Sequence, residues 1–264
     1  MQPAELLALA VSVVRPAVAL ARRMRADGVA TIATKSSATD VVTAADKAVE
    51  AQVIGALRDS RPHDAVLGEE TGSGTGSSRV RWILDPIDGT VNYLYGLPQY
   101  AISLAAEVDG AVVAGVVANA ATGDEWTAVR SAGAYRDGRR LAGSTETELG
   151  HALVATGFAY TRERRVHQAR VLAELIGEIR DVRRFGAAAI DLCFAAEGAV
   201  DAYFEKNLSP WDHAAGGLIA AEAGLLVTGL DGAPAGPDFL LAAPPGLYDA
   251  LHRRLVELDA AGGP

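Results

Sequence analysis

The chain has 264 residues, half of them hydrophobic, so it can bury a large core in one domain or two closely packed ones, and intrinsic disorder is excluded. Its formal net charge of −9 argues against a protein that mainly binds nucleic acid or an anionic membrane. The single cysteine, Cys193, rules out an intrachain disulfide and a thiolate metal cluster. We therefore predict a cytoplasmic protein without nucleic-acid or membrane partners.

The chain begins with an apolar segment whose residues recur at helical spacing. Leu6, Val13 and Ala17 follow one another at intervals of seven and four residues. No basic region precedes the segment, and the pair Arg22-Arg23 follows where a signal-peptide cleavage site would lie. The pattern predicts an amphipathic core helix kinked at Pro16, not a leader or a membrane span.

Two polar segments flank the next predicted helix. A polar loop at residues 34–40 leads to a helix from Ala44 to Leu57, with Thr43 or a neighbour as its N-cap. The segment from Thr71 to Ser78 consists entirely of glycine, serine and threonine. Such a composition predicts a mobile surface loop that does not pack.

Short strands dominate the pattern from about residue 80 to 141. Asp109-Gly110 lies between two apolar runs and predicts a hairpin turn, and a further strand pair that ends at Asp137-Gly138 extends an antiparallel meander. The first part of the chain is therefore predicted to be α+β. Its strands are expected at 81–84, 102–108, 112–117, 125–129 and 133–136.

After Gly143 strands and helices alternate, which favours an α/β layer. We place a domain boundary near residue 142, giving an α+β domain at 1–142 with the antiparallel sheet and the site, and an α/β domain at 143–264 that closes the site. The charge-rich run Arg162–Arg165 is predicted to be a solvated face or a dimer contact. Strands of the second domain are expected at 152–156, 182–185, 200–204, 225–228 and 239–242.

The segment Asp85-Pro86-Ile87-Asp88-Gly89-Thr90, directly after the apolar run 81–84, carries the clearest chemistry. Two carboxylates leave the strand together, Gly89 allows close approach of backbone to a ligand, and Thr90 offers a hydroxyl at a helix start. A helix start also presents N–H groups that bind phosphate oxygens. Carboxylates beside an anion site imply a bridging hard cation, although an ordinary turn before a capped helix remains an alternative.

Two further acidic segments fit the same chemistry. Glu69-Glu70 follows the apolar run 65–67, and Asp212 precedes a helix predicted from Ala214 to Glu222. Each has a plain alternative, because Glu69-Glu70 can be a solvated pair and Asp212 a helix cap. Histidine is absent from these segments apart from His213, so oxygen ligation of magnesium or manganese is favoured over zinc.

Together these segments resemble the inositol monophosphatase family of magnesium-dependent, lithium-sensitive phosphatases. The resemblance depends on matches at 68–70, 85–93 and 211–216, which occur in the expected order, with support from 35–46 and 201–205. It covers nearly the whole chain. It implies a layered αβαβα sandwich, a homodimer, and two or three Mg²⁺ ions per site.

The resemblance also implies a role for each matching residue. Glu69, Asp85 and the carbonyl of Ile87 correspond to ligands of a first ion, and Asp85, Asp88 and Asp212 to ligands of a second. Gly89 and Thr90 correspond to the phosphate-binding backbone. Thr90 with Asp46 corresponds to a pair that helps to deprotonate the attacking water, which Glu69 orients. The implied catalytic residues are thus Glu69, Thr90 and Asp46.

The substrate implied by the resemblance is a small phosphorylated polyol, with inositol monophosphate first. Glu205 matches a carboxylate that accepts hydrogen bonds from ring hydroxyls, Ala188 lies in the neighbouring wall, and Asp88 and Asp212 are further hydroxyl contacts. A carboxylate at 205 argues against a second phosphate there. The same chemistry on fructose 1,6-bisphosphate, histidinol phosphate or phosphoadenosine phosphate, or a regulatory protein-binding role, remains an alternative.

Overall fold

The computed structural model describes residues 2–28, 31–34 and 41–263, with the side chains of residues 2–28 and 43–263. The loop predicted at 34–40 lies outside the described residues apart from Thr34. Helices α1–α7 span Pro3–Ala26, Ala44–Ser60, Thr90–Tyr95, Arg162–Leu175, Ala188–Glu197, Pro210–Glu222 and Pro245–Glu257.

Fifteen strands are present in the described residues. Strands β1–β8 span Thr31–Thr34, Val41–Thr43, Ala65–Gly68, Gly72–Ser73, Val80–Asp88, Ala101–Val108, Ala111–Asn119 and Glu125–Val129. Strands β9–β15 span Gly133–Arg136, Arg139–Arg140, Leu153–Thr156, Asp181–Arg183, Ala202–Glu205, Leu226–Thr228 and Leu240–Ala243.

The strands form two large sheets and one small pair. The first sheet has eight strands in the order β10-β9-β8-β7-β6-β5-β3-β4, and only the β3–β5 pair in it is parallel. The second has five strands in the order β12-β11-β13-β15-β14, with β11 parallel to both of its neighbours. The predicted antiparallel meander after residue 80 is confirmed.

Successive side chains of β5 are apolar on both faces of the strand, which is why the eight-stranded sheet is covered on both faces. Trp82 and Leu84 point into a core shared with α1 and α2, whereas Ile83, between them, points into a core shared with α5 and α6. Thr43 caps α2 by accepting a hydrogen bond from the N–H of Ala45, as predicted.

Helices α5 and α6 form the middle layer between the two sheets. Small residues bring the layers close: an added Cβ at Gly115 of β7 would lie 3.0 Å from the Cα of Ala215 in α6, and one at Gly216 would lie 3.0 Å from the Cβ of Leu192 in α5. Helices α4 and α7 cover the outer face of the five-stranded sheet. The five layers confirm the αβαβα sandwich.

The predicted boundary near residue 142 falls between the sheets, since the eight-stranded sheet ends at Arg140 and the five-stranded sheet begins at Leu153. Helices α5 and α6 nevertheless share one core with the first sheet. The assignment of two domains therefore stays a prediction.

Helix α1 is long and apolar enough to cross a membrane by length and composition. In the folded chain it runs without interruption through Pro16, and six of its side chains, including Leu6 and Val14, are buried against the eight-stranded sheet and α2. This packing supports its interpretation as a core helix.

The segment 71–78 is mostly exposed, as expected for a surface loop, but the prediction that it does not pack is wrong for its backbone. Gly72 and Ser73 form the edge strand β4, Gly74 donates its N–H to the carbonyl of Val66, and Ser77 and Ser78 donate theirs to His63. A Cβ at Gly76 would lie 2.3 Å from the nitrogen of Ala65. Glycine here allows backbone to lie against backbone, a role that composition alone does not reveal.

Candidate active site

Two parallel strands that end at the same edge of the sheet bring Glu69 and Asp85 together. Gly68, the last residue of β3, is in register with Leu84 of β5, and the N–H of Glu69 donates to the carbonyl of Leu84 at 3.2 Å. Strand β5 continues to Asp88 instead of ending at Leu84, with an irregular register between Asp85 and Asp88. At that irregularity the regular strand pairing ends and residues 85–90 begin, which we call the acidic turn.

Helix α6 brings Asp212 to the same place. Ser103 of β6 pairs with Asp85, and its hydroxyl donates to the carbonyl of Trp211 at 3.3 Å. Asp212 is the third residue of α6, where its carboxylate accepts the N–H of Ser209 at 2.6 Å in a capping box. The helix therefore begins at Pro210 with Ser209 as its N-cap, which corrects the predicted start at Ala214 and the alternative that Asp212 is the cap.

Burial and mutual repulsion raise the pKa values of these carboxyl groups. Burial is the larger cause for Asp85 and Asp212, whose pKa values lie well above the ordinary range, and each is raised further by Glu69 and Asp88. Burial raises the pKa of Asp88 to about 7, although the N–H of Ala189 donates to its carboxylate at 2.7 Å. We call Glu69, Asp85, Asp88 and Asp212 the carboxylate cluster.

The donors of the carboxylate cluster fit a hard divalent cation. They are carboxylate oxygens, with the carbonyl of Ile87 beside them, and together they line a cavity of about 280 Å³. A positive ion there would offset the repulsion that raises their pKa values. Within 2–28, 31–34 and 41–263, no three Asp, Glu, His or Cys side chains are already arranged to hold an ion. The division of ligands between two ions therefore stays a prediction.

Asp46 and Thr90, predicted to act as a pair, are in contact. The Thr90 hydroxyl lies 3.1 Å from Oδ1 of Asp46 and 3.0 Å from the carbonyl of Ile87. The other oxygen of Asp46 accepts the N–H and the hydroxyl of Thr43 at 2.8 and 2.5 Å. Asp46 is fully buried, and this burial raises its pKa.

The predicted substrate residues line a second cavity, of about 120 Å³, that shares Asp88, Gly89 and Asp212 with the first. Ala188 and the half-buried Glu205 line its other side. The Tyr203 hydroxyl donates to Oε2 of Glu205 at 2.6 Å, and burial raises the pKa of Glu205 while Arg184 partly counteracts it. We call residues 185–188 the wall segment.

Nine of the ten predicted site residues line these two connected cavities, and the tenth, the buried Asp46, reaches them through its hydrogen bond with Thr90. Further residues that support the cleft carry no prediction from the sequence. Glu50 of α2 is buried and accepts the N–H groups of Glu70 and Thr71 at 2.9 and 2.7 Å, which fixes the turn that carries Glu69. Arg164, predicted on a solvated face, lines the cavity of the carboxylate cluster. The sequence signal for Glu50 is a charged residue on the core-facing side of helix α2, where charged residues are rare unless they are paired.

The family model of the inositol monophosphatase family matches residues 2–260. An inositol-1-monophosphatase of Mycobacterium leprae is 42% identical over 97% of this chain and 95% of its own length. The Escherichia coli protein called Nus factor SuhB is 39% identical over 76% of each chain.

Solved structures agree with the sequence relatives. SuhB of Mycobacterium tuberculosis superposes with a TM-score of 0.85 at 39% identity, covering 99% of both chains. The inositol monophosphatase of Anabaena superposes with a TM-score of 0.84 at 32% identity, covering 96% of both. The layered fold, the acidic cleft and these matches agree, and the chain therefore belongs to the inositol monophosphatase family.

Proposed function

We propose that this protein is a magnesium-dependent phosphomonoesterase that hydrolyses inositol monophosphate to inositol and phosphate. The observation that carries the proposal is the pair of connected cavities that holds the carboxylate cluster together with Glu205 and with Thr90, whose hydroxyl donates to Asp46. Metal dependence is general in the family. Magnesium in particular is favoured because all candidate ligands are oxygen atoms.

The first ion would be held by Glu69, Asp85 and the carbonyl of Ile87, and the second by Asp85, Asp88 and Asp212. Bound divalent cations neutralise the phosphate and stabilise the charge that develops on its oxygens during in-line displacement. The protein's own contribution is to hold these ligands rigidly. The amides of Ser209 and Ala189 fix the carboxylates of Asp212 and Asp88 at 2.6 and 2.7 Å.

Asp46 and Thr90 would move the proton of the attacking water. The Thr90 hydroxyl donates to Oδ1 of Asp46, which leaves a lone pair on the Thr90 oxygen to accept a hydrogen bond from water. The raised pKa of the buried Asp46 makes its carboxylate a stronger proton acceptor. Glu69, which lines the same cavity, would orient the water.

Gly89 and Thr90 would bind the phosphate through their backbone N–H groups at the start of α3. Gly89 has a φ of 87°, and a Cβ there would lie 2.7 Å from the carbonyl of Gln99. Only glycine fits this position, so the backbone is open to a close approach by the phosphate.

Ring hydroxyls of the substrate would meet Glu205 and Ala188, with Asp88 and Asp212 on the side nearer the ions. Oε2 of Glu205 already accepts the Tyr203 hydroxyl, which orients the carboxylate towards the cavity that it lines. A carboxylate accepts hydrogen bonds only, so it favours hydroxyl groups over a second phosphate.

The test is phosphate release from inositol 1-phosphate, fructose 1,6-bisphosphate, histidinol phosphate and phosphoadenosine phosphate, each with Mg²⁺ and with EDTA. We expect Mg²⁺-dependent release with the highest kcat/KM for inositol 1-phosphate. A higher kcat/KM for another ester would keep the chemistry and overturn the substrate. Release that is unchanged by EDTA would overturn the metal mechanism.

A regulatory protein-binding role is the second candidate, because the E. coli relative carries the name Nus factor SuhB. The candidate metal ligands Glu69, Asp85, Asp88 and Asp212 are all present together with the catalytic candidate Thr90. This complete set favours an active enzyme, since a chain selected only for binding has no need of them all. Absence of phosphate release from all four esters would favour the regulatory role.

We also propose a cytoplasmic homodimer that is inhibited by lithium and that binds two or three Mg²⁺ ions per site. The acidic charge and the single, buried Cys193 support the compartment and argue against nucleic-acid or membrane partners. Light scattering with size-exclusion chromatography tests the dimer, and calorimetric titration with Mg²⁺ tests the ion count. A monomer at micromolar concentration would overturn the dimer.

A further inference from the structure

Asn92 connects the acidic turn to the wall segment. It lies in α3, two residues after Thr90, and is buried, with 5% of its surface exposed. Its Nδ2 donates to the carbonyls of Gln99 and Phe185, both at 2.7 Å, and lies 3.4 Å from that of Gly186. An amide nitrogen has two protons, so the two short bonds use its full donor capacity.

The wall segment returns to the acidic turn through α5. Gly186 has a φ of 84° and directs the chain into that helix, where the N–H of Ala189 donates to Asp88 at 2.7 Å and the N–H of Ala188 bonds to the same carboxylate. A closed circuit of bonds therefore runs from Asp88 along the chain to Asn92, across to Phe185, and back through Ala189.

The loop before β6 is the third member of this arrangement. The carbonyl of Gln99, which accepts one of the Asn92 bonds, is the atom that lies 2.7 Å from a Cβ built on Gly89. Asn92 thus ties the loop before β6 to the wall segment at the place where both lie against Gly89, since a Cβ there would also be 3.1 Å from the Cβ of Ala187. Gly89 and the wall segment contact opposite ends of a phosphorylated polyol in the proposed function.

We propose that Asn92 is a positioning residue that sets substrate orientation by holding the wall segment against the phosphate end of the cleft. The expected change in substrate kinetics rests on the proposed function, whereas the expected loosening of the wall segment does not. Displacement of a bound substrate by about 1 Å costs on the order of 10²-fold in rate, so loss of these bonds has a large effect on an ester that contacts both ends.

The test replaces Asn92 with aspartate, which keeps the shape but replaces the NH₂ group and its two N–H donors with one carboxylate oxygen that repels both carbonyls. Asn119→Asp is the matched control. Asn119 is also buried, at 1% exposed, and donates to the carbonyl of Pro98 at 3.1 Å, in the same loop as Gln99, but it has no bond to the wall segment. Any effect of loosening that loop alone will appear in both variants.

Two readouts are measured: hydrogen exchange of peptides covering 185–189, and the ratio of kcat/KM for inositol 1-phosphate to that for p-nitrophenyl phosphate, which lacks ring hydroxyls. For Asn92→Asp we expect faster exchange and a fall of about tenfold or more in the ratio, because the ring of the substrate is no longer held in position. For Asn119→Asp we expect neither change.

Unchanged exchange at 185–189 in Asn92→Asp, or equal changes in both variants, would overturn the inference. If the wild-type protein releases no phosphate from either ester, the proposed function fails and the exchange measurement alone decides the role of Asn92. Should Asn92→Asp not fold, Asn92→Ser, which keeps one donor, takes its place under the same criteria.

Discussion

At one end of the cleft four acidic side chains meet at a strand edge and a helix start, whereas at the other end Glu205 shares its cavity with the cationic side chains of Arg184 and Lys206. The first end is dominated by charge, because burial and repulsion raise the pKa values of Asp85, Asp88 and Asp212. At the second end the carboxylate of Glu205 accepts a hydrogen bond from Tyr203 and lies near the positive charge of Arg184, and both lower the pKa that burial raises. Chemistry and specificity are therefore separable, and substitutions at the two ends have different kinetic signatures.

The largest effect is expected from Asp88→Asn, which removes a charge from the carboxylate cluster while keeping the side chain's volume. We expect kcat to fall by roughly 10³-fold or more with every ester, since the group belongs to the reacting centre. Phosphate release by the purified variant measures this. Substantial remaining activity would contradict the role assigned to Asp88.

The same variant has a predicted pH signature in folding stability. In EDTA, the folded wild type keeps a proton on Asp88 up to about pH 7, whereas the unfolded chain releases it near the ordinary value of 3.8. This contribution to stability is present at low pH and is lost as pH rises through 7. Asp88→Asn lacks it, so its Tm should exceed that of the wild type at pH 8 and approach it near pH 4. Equal Tm differences at both pH values would contradict this.

A smaller effect is expected from Glu50→Ala, which leaves the carboxylate cluster intact but removes the support of Glu69. Partners that orient metal ligands typically contribute roughly 10–100-fold to metal affinity. We therefore expect the Mg²⁺ concentration for half-maximal activity to rise by roughly that factor.

Glu222→Ala is the matched control for Glu50→Ala. Glu222 also accepts two backbone N–H groups, those of Ser131 and Gly133, at 2.7 and 2.9 Å, but on a hairpin outside the cleft. Its loss should lower Tm without changing the Mg²⁺ requirement. The same shift in Mg²⁺ requirement for both variants would show that Glu50 acts only through stability.

The two ends of the cleft were also predictable to different degrees. The turn Asp85–Thr90 is contiguous and follows an apolar run, so local chemistry predicts a carboxylate and phosphate site, with an ordinary turn before a capped helix as its alternative. The wall segment depends on Asn92 bonding to Phe185, 93 residues away, and no periodicity reveals such a contact. Long-range packing likewise decided that β5 runs on to Asp88 and that the segment 71–78 joins the sheet edge.

The smallest effect on chemistry is expected from Glu205→Gln, which keeps shape and one acceptor but removes the charge. The Tyr203 hydroxyl can still donate to the amide oxygen, so the strand should keep its geometry. We expect KM for inositol 1-phosphate to rise about tenfold, because one charge-assisted hydrogen bond to the substrate is lost. The kcat should be nearly unchanged.

p-Nitrophenyl phosphate provides the contrast for Glu205→Gln, because an ester without ring hydroxyls makes no use of the carboxylate and should keep its KM. Fructose 1,6-bisphosphate should gain, since the second phosphate no longer meets a negative charge. An equal fall in kcat for all three esters would place Glu205 in the chemistry of the carboxylate cluster. Chemistry and specificity would then share one end of the cleft, because a pure hydroxyl contact cannot slow the reaction of an ester that lacks hydroxyls.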